Sequence, residues 1–307
     1  MMSQRRIYVR KIGNLFISCL SFSCFIAFFL TCLLCLAGIM GNPGSGWALE
    51  TLPIISEAQT VYEQHIKNQD PYEQLDYHGL TRTEADLALI WKALHEGGLK
   101  NVNFTFIESR TLARNIQMVK DGEVVLFAHD LPVGDFEETV FMTIPIIPPR
   151  RFEKGIYTIP SHTELLKVKT LEELKNFTAV SSRSWVADWE ILEKMQLKKV
   201  FDTVKFQNML DMVANGRVDF AVLDFPNRED LNRTLSDGNI LTPVPGVKIV
   251  LDVSRHFMVS RKHPDGQLVF EALQKGLKIL EERGEIERAL TECGFYHEKV
   301  KDWKILN

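Results

Sequence analysis

Helical patterns alternate with short apolar runs from residue 81 onward, and this alternation predicts repeated βαβ units around a mostly parallel sheet. An apolar helix face at 87–94 ends at Gly97, a residue type that commonly stops helices. A strand at 102–107, a helix at 112–119 and a strand at 124–128 follow. These elements are expected to form a first α/β half.

The middle of the chain is predicted to cross from one half to another. Extended runs at 139–147 and 155–159 flank Pro148 and Pro149, which exclude a helix. A second series then follows, with helices predicted at 171–175, 187–195 and 207–213 and strands at 179–182, 200–204 and 220–224. The last elements, expected to return to the first half, are strands at 247–251 and 256–260 and helices at 267–282 and 285–291.

Residues 1–48 have the pattern of an export segment. Four basic residues among the first eleven precede an uncharged, apolar stretch at 14–40. This stretch is longer than the roughly 7 to 15 apolar residues of a signal peptide and close to the roughly 20 of a membrane span. The small residues Gly46 and Ala48 suit signal-peptidase cleavage. Both a cleaved signal peptide and a retained anchor remain open, and either one exports the rest of the chain.

Composition narrows the functional classes. The chain has 307 residues, of which 45% are hydrophobic and 25% charged, as in a globular protein with room for two lobes. Four of the 36 basic residues lie in 1–48, which leaves 32 against 40 acidic residues, a net charge of −8. This charge disfavours nucleic acid as a partner. Only Cys293 lies outside the export segment, which excludes a disulfide within the exported part or a cysteine-rich metal site there.

The sequence carries no recognisable catalytic motif. The eight histidines have no metal-ligand spacing, and neither a Gly-x-Ser-x-Gly element nor a phosphate-binding glycine loop is present. We therefore predict no catalytic residue, no metal and no cofactor. An enzyme is the least favoured class.

Several motifs resemble bacterial extracellular solute-binding proteins of family 3. The segment 215–224, NGRVDFAVLD, is similar to the family's "sGrvDavv.D" strand, and 169–174, KTLEEL, to the opening of its second lobe. The segment 184–192, SWVADWEIL, resembles the "gW.D..iL" pattern of stand-alone proteobacterial members. The resemblance spans about 81–295. It implies an α/β, type II periplasmic binding protein fold, in which two lobes joined by hinge strands close on a ligand.

The resemblance also gives an expected organisation and role. Lobe 1 is predicted at 49–154 plus 259–307 and lobe 2 at 155–258. The position of the first strand of lobe 1 stays open, because the run at 52–55 is short and contains proline. The protein is expected in the periplasm, free or anchored by 14–40. Its ligand would be a small polar or charged molecule, and its macromolecular partner an ABC transporter permease or a membrane receptor. A tethered ligand-sensing protein without a transport role is the alternative.

The resemblance places candidate ligand contacts in two segments of lobe 2. Asp224 ends a strand where the family has an acidic residue that receives a ligand ammonium; a helix cap or surface carboxylate is the alternative. Four residues occupy the turn into the next predicted helix, where N–H groups and a guanidinium could hold a carboxylate: Ser182, Arg183, Ser184 and Trp185. Surface packing is the alternative for Trp185.

Two candidates lie in lobe 1. Arg110 follows a predicted strand and is a second anion-binding candidate or, alternatively, a solvated arginine. Tyr72, with Tyr77, is a candidate aromatic wall. The family's carboxylate-binding arginine element is replaced by an acidic stretch at 135–139. This departure argues against an amino acid ligand unless Arg110 or an arginine at 150–151 substitutes.

Overall fold

The structure is a computed structural model that describes residues 51–132 and 138–307. The predicted export segment and most of the acidic stretch at 135–139 lie outside the described residues. The described residues belong to one compact unit. No helix within 51–132 or 138–307 is long and apolar enough to cross a bilayer.

Two β-sheets organise the described chain. The first sheet has the order β2-β1-β3-β12-β4 and comprises β1 (Leu52–Ile55), β2 (Phe104–Ile107), β3 (Leu126–Pro132), β4 (Val140–Met142) and β12 (Arg255–Ser260). The second has the main order β13-β11-β5-β8-β6-β7 and comprises β5 (Phe152–Thr158), β6 (Thr178–Ser181), β7 (Lys199–Asp202), β8 (Phe220–Asp224), β9 (Arg233–Thr234), β10 (Ile240–Pro243), β11 (Val247–Leu251) and β13 (Lys304–Ile305). Strand β10 pairs with both β5 and β9. The two sheets correspond to the two lobes.

Helices pack on both sheets. They are α1 (Gln59–Val61), α2 (Arg82–Glu96), α3 (Leu112–Asp121), α4 (Leu171–Leu174), α5 (Val186–Lys194), α6 (Phe206–Ala214), α7 (Gly266–Glu282) and α8 (Glu285–Glu292). A π-helical turn (Tyr62–Ile66) continues α1, and two 3₁₀ turns lie at Leu165–Lys167 and Glu298–Val300.

Local sequence explains several element boundaries. Thr81 and Glu84 form a capping box that starts α2, and Thr170 and Glu173 form another that starts α4. Helix α3 ends at Gly122, whose left-handed φ of 80° suits glycine. In β8 the first four residues are buried, as expected for a strand covered on both faces. The α/β, two-lobed fold class is confirmed.

The chain crosses between the two sheets at slightly different residues from those predicted. The chain leaves the first sheet after β4 and enters the second at Phe152, before the predicted boundary at 155. It returns at Arg255, before the predicted boundary at 259, because β12 pairs with β3 from its first residue. Strand β13 pairs with β11 of the second sheet, so the C-terminus does not end in lobe 1.

Candidate functional site

A cleft of about 780 Å³ lies where the two sheets meet, and residues from both of them line it. The end of β3, the start of β12 and the N-terminus of α2 contribute from the first lobe. The carboxyl end of β8 and the first turn of α5 contribute from the second. Clefts at the carboxyl ends of strands are the usual place for ligands in α/β folds.

Strand pairing places opposite charges together in the second lobe. Lys154 of β5 and Asp224 of β8 are direct partners in an antiparallel pair. The Lys154 ammonium lies 3.4 Å from one Asp224 carboxylate oxygen and 2.5 Å from a carboxylate oxygen of Asp188, which lies in the first turn of α5. Lys154 therefore links β5, β8 and α5 through its ionic contacts at the cleft.

Arg82 bridges the two lobes. It is the first residue of α2, and one guanidinium nitrogen lies 3.3 Å from Asp224 of the second lobe. Its other terminal nitrogen donates to the buried Asp130 of β3. Arg82 is thus held between a carboxylate of each lobe.

Asp130 is the buried anchor of this ionic cluster. Arg255 donates from Nε to the Asp130 side chain at 2.7 Å and from a terminal nitrogen to its backbone carbonyl at 2.8 Å. Burial acts to raise the pKa of Asp130, but the cations Arg255 and Arg82 outweigh it and hold that pKa well below its usual range. The carboxylate therefore stays ionised.

Asp224 shows the same balance of effects. Burial acts to raise its pKa, whereas Lys154 and Arg82, followed by Arg233 and Arg255, lower it below its usual value. Its side chain is 35% exposed, so it faces the cleft as an ionised group. Its salt-bridge partners, Arg82 and Lys154, are side chains of the protein itself.

Phe152 forms an aromatic base for the cluster. Its ring is almost fully buried, and its centroid lies 5.0 Å from the Arg82 guanidinium carbon, 4.9 Å from that of Arg255 and 4.9 Å from the Lys154 ammonium. Attraction between a cation and an aromatic ring face is worth about 0.5 to 2 kcal/mol. One ring thereby helps to position three of the cleft's cations.

His129, Asp86 and Asp130 are the group within the cleft region that a metal ion could contact, since their ligand atoms lie within 4.8 Å of one another. His129 bonds Asp86 through Nδ1 at 2.8 Å. Asp130, however, is already bonded by two guanidinium groups. A divalent cation would have to displace them, so these residues fit an ion-pair network better than a metal site.

The outer part of the cleft is apolar. The first lobe contributes Leu112 and Ile116 of α3 and Leu131 and Pro132 of β3, and the second contributes Trp185, Val186 and Phe206. The last two are unusually exposed, at 58% and 43%. The rings of Trp185 and Phe206 lie 5.9 Å apart. The cleft therefore combines a buried ionic cluster with these apolar side chains, and we call the apolar part the entrance.

Three of the predicted site residues line this cleft: Asp224, Ser184 and Trp185. Ser182 is buried beneath the turn, where its hydroxyl lies 2.7 Å from that of Ser184. Arg183 points outward, because Asp202 and the ring of Trp189 hold its side chain on the lobe surface. Neither of these two residues is among those that line the cleft.

The predicted lobe 1 contacts do not reach the cleft. Arg110 is exposed and lies before the helix, since Thr111 is the N-cap of α3 and Asn115 accepts from the Arg110 backbone N–H. Tyr72 is 53% exposed and lines a separate depression beside Trp91. Tyr77 is buried in the core and donates to Glu285. Arg150 and Arg151 are also exposed, beside Asp252 and Glu287 respectively.

The sequence prediction missed four cations of the cleft: Arg82, Lys154, Arg233 and Arg255. A local signal existed for Arg82, because the Thr81–Glu84 capping box places it at the start of a helix. Lys154 and Arg255 lie in strands whose partners are distant in sequence, so no local pattern points to them.

Comparisons with solved structures place the chain in a known fold. The periplasmic VFT2 domain of BvgS from Bordetella pertussis is similar with a TM-score of 0.52 and 16% identity, over 79% of this chain and 92% of that one. The probable amino-acid ABC transporter extracellular-binding protein ytmK from Bacillus subtilis has a TM-score of 0.51 and 15% identity, over 79% and 96%. The amino acid ABC transporter substrate-binding protein AbpA from Streptococcus pneumoniae, bound to L-arginine, has a TM-score of 0.51 and 11% identity, over 82% and 97%.

At these identities the likeness defines the fold. No protein-family model and no curated protein sequence matches the chain. The chain has the two-lobed fold of type II periplasmic binding proteins.

Proposed function

We propose that the chain is an exported solute-binding protein of the family 3 type, which captures a small charged molecule in the cleft between its lobes. The observation that carries this proposal is the cleft itself, where ionised groups from both sheets converge over one aromatic ring. Polar groups placed on a largely apolar concave surface are the usual composition of a ligand site.

The structurally similar proteins support a binding role in the periplasm or outside the cell. Two of them are described as binding proteins of amino-acid ABC transporters, and the third is a periplasmic domain. Delivery to a transporter permease is the corresponding role for this chain. Export by the segment at 1–48 belongs to the same proposal.

A sensory role is the second candidate. The similar BvgS domain is described as a periplasmic VFT2 domain, not as a transporter component. If the apolar stretch at 14–40 is retained as an anchor, the chain would meet its partner within the membrane plane. Sequencing the mature N-terminus by Edman degradation or mass spectrometry separates the anchored form from the cleaved one.

A thermal-shift screen of the full-length chain tests the binding role. Amino acids, polyamines, organic acids and sugars form the panel. A solute at a hundredfold its dissociation constant adds about 2.7 kcal/mol to the free energy of unfolding. We expect at least one class to raise the melting temperature in this way.

Two neighbouring residues give a matched pair of variants for locating the site. Ser184 is exposed and lines the cleft, whereas the adjacent Arg183 is exposed and faces outward. Ser184→Trp should fill the cleft and abolish the shift, and Arg183→Trp should retain it. A shift that survives Ser184→Trp in a folded variant would place the ligand elsewhere.

A further inference from the structure

We propose that the cleft takes an amphipathic carboxylate, with its anionic group beside Arg233 and its apolar body between the lobes at the entrance. This inference rests on the proposed binding function and names the class of solute. It differs from the expectation that Asp224 receives a ligand ammonium group.

The first observation is that the carboxylates lining the cleft already have cation partners. Asp224 contacts both Arg82 and Lys154, and Asp188 contacts Lys154. Glu190, at the exposed rim, lies 3.9 Å from Lys194 of the next helical turn. A ligand ammonium would have to compete with these cations and would also be repelled by them.

The second observation is the environment of Arg233. Arg233 is one of the residues that line the cleft, and among the described residues no carboxylate lies within salt-bridge distance of it. Its guanidinium carbon lies 5.5 Å from the centroid of the Tyr157 ring. One terminal nitrogen donates to the backbone carbonyl of Asp224. Its Nε is shielded from solvent without a hydrogen-bond partner in the described chain.

The charge of Arg233 already acts on the nearby Asp224, but a shielded N–H group without a hydrogen-bond partner is costly, and an anion bound beside it would supply that partner. The planar guanidinium is also the side chain best suited to bind a carboxylate through two hydrogen bonds. The unused Nε donor of Arg233 therefore favours a ligand carboxylate close to Arg233.

The third observation is the apolar entrance. Val186 and Phe206 are exposed, and they line the cleft together with Leu112 and Ile116 of the other lobe. Exposed apolar side chains grouped in a groove mark a binding surface. Burying them against an apolar ligand body would remove their surface from water, at roughly 25 cal/mol per Å².

The size of the cleft agrees with a ligand that has both parts. Its volume of about 780 Å³ lies in the upper part of the range of about 300 to 1,000 Å³ for small-molecule sites. A charged group alone would leave the apolar entrance unfilled. A carboxylate with an aromatic or medium-length aliphatic body can contact both regions.

A matched ligand series tests the inference by calorimetry on the full-length chain. The probes are 3-phenylpropionate, hexanoate and indole-3-acetate as amphipathic carboxylates. The comparison compounds are propionate, which lacks the apolar body, 2-phenylethylamine, which replaces the anion by a cation, and L-phenylalanine, which adds an α-ammonium group to 3-phenylpropionate.

We expect the best amphipathic carboxylate to bind at least tenfold more tightly than propionate and 2-phenylethylamine. L-Phenylalanine should bind more weakly than 3-phenylpropionate, because its ammonium group meets the cleft's cations. Tighter binding of L-phenylalanine or of the amine overturns the inference, as does no binding by any of the three carboxylates.

Variants of lobe 2 residues connect the binding to the named side chains. Arg233→Gln should lower the affinity for the best carboxylate at least tenfold. Arg217→Gln, at an exposed position outside the cleft, should leave that affinity unchanged. Phe206→Ala should lower the same affinity severalfold. Val204 is 82% exposed and lies outside the cleft, so Val204→Ala should leave the affinity unchanged. Equal effects within either pair contradict the inference, provided that circular dichroism shows folded variants.

Asp224→Asn separates this inference from the ammonium role. Removing the negative charge should maintain or increase carboxylate affinity here, whereas it should abolish binding of a ligand held through its ammonium. If a polar amino acid or polyamine from the screen binds and the Asn variant loses it, the inference fails while the binding function stands. If no solute of either set binds, both fail.

Discussion

At the scale of single residues, the cleft depends on buried charges that are fixed by one another. Asp130 holds Arg82 and Arg255, and Arg82 also reaches Asp224 across the cleft. Burying charges is costly unless each one is paired with good geometry, so such a network sets positions more than it adds stability. Removing the Asp130 carboxylate would take away the one salt bridge of Arg255 and one of the two of Arg82 among the described residues.

The substitution Asp130→Asn tests this network and its pH dependence. It should lower the free energy of unfolding by about 3 to 5 kcal/mol at pH 7, because it leaves Arg82 and Arg255 without their common carboxylate. The pKa of Asp130 is lower in the folded state than the usual value of about 3.9. Its stabilisation is therefore fully present above that value and is lost as the pH falls through the folded pKa.

Urea denaturation between pH 2 and pH 7 measures both parts of this prediction. The difference between wild type and Asp130→Asn should shrink as the pH falls below about 4. Asp302→Asn, at an exposed position, serves as the control and should change stability by less than about 0.5 kcal/mol. A difference that is constant with pH would show that charge is not what Asp130 contributes.

At the scale of elements, the position of Arg82 depends on how helix α2 packs against helix α7. Gly276 of α7 lies directly against α2: a Cβ atom there would be 1.8 Å from the Ala93 carbonyl oxygen. Gly97, just after α2, approaches α7 in the same way: a Cβ atom on Gly97 would be 2.0 Å from the Ala272 carbonyl oxygen. Glycine at both positions allows the helix backbones to touch.

Gly276→Ala should destabilise the protein by about 1 to 3 kcal/mol, because the added methyl group overlaps backbone atoms that must move away. Thermal or chemical denaturation measures this loss. Lys278→Ala lies on the exposed side of the same helix and should be nearly neutral. Stability that is unchanged or increased in Gly276→Ala would contradict the close packing described here.

The elements themselves are what the sequence predicted best. The predicted strands at 220–224 and 247–251 have the same bounds in the structure, since each is a short apolar run between turn residues. The first strand, whose position the sequence left open, lies at Leu52–Ile55. The site was predicted less well. Arg82 and Asp224 are 142 positions apart, and their contact follows from the meeting of two lobes, which no local periodicity encodes.

The direction of side chains in turns was also beyond the sequence pattern. Ser182, Arg183 and Ser184 are consecutive, yet one is buried, one faces outward and one lines the cleft. Turn geometry decides between these outcomes, and Asp202 of a neighbouring strand holds Arg183 on the outside. The turn that the resemblance pointed to contributes Ser184 and Trp185 to the lining of the cleft, and the sequence carries no signal for the direction of each side chain.

At the scale of the whole molecule, two sheets share one cleft, and the chain crosses between them near Phe152 and Arg255. Both residues take part in the site, Phe152 through its ring and Arg255 through Asp130. Lobe movement about these crossings would alter the distance between Arg82 and Asp224. The site therefore includes residues at both points where the chain crosses between the sheets.

Hydrogen–deuterium exchange of the full-length chain, with and without the solute that stabilises it most, tests the central claim most directly. Our account predicts slower exchange in the segments that meet at the cleft, at 82–86, 129–132, 184–190 and 223–225. Slower exchange confined to the depression beside Tyr72 and Trp91, or no change in the cleft segments, would contradict it.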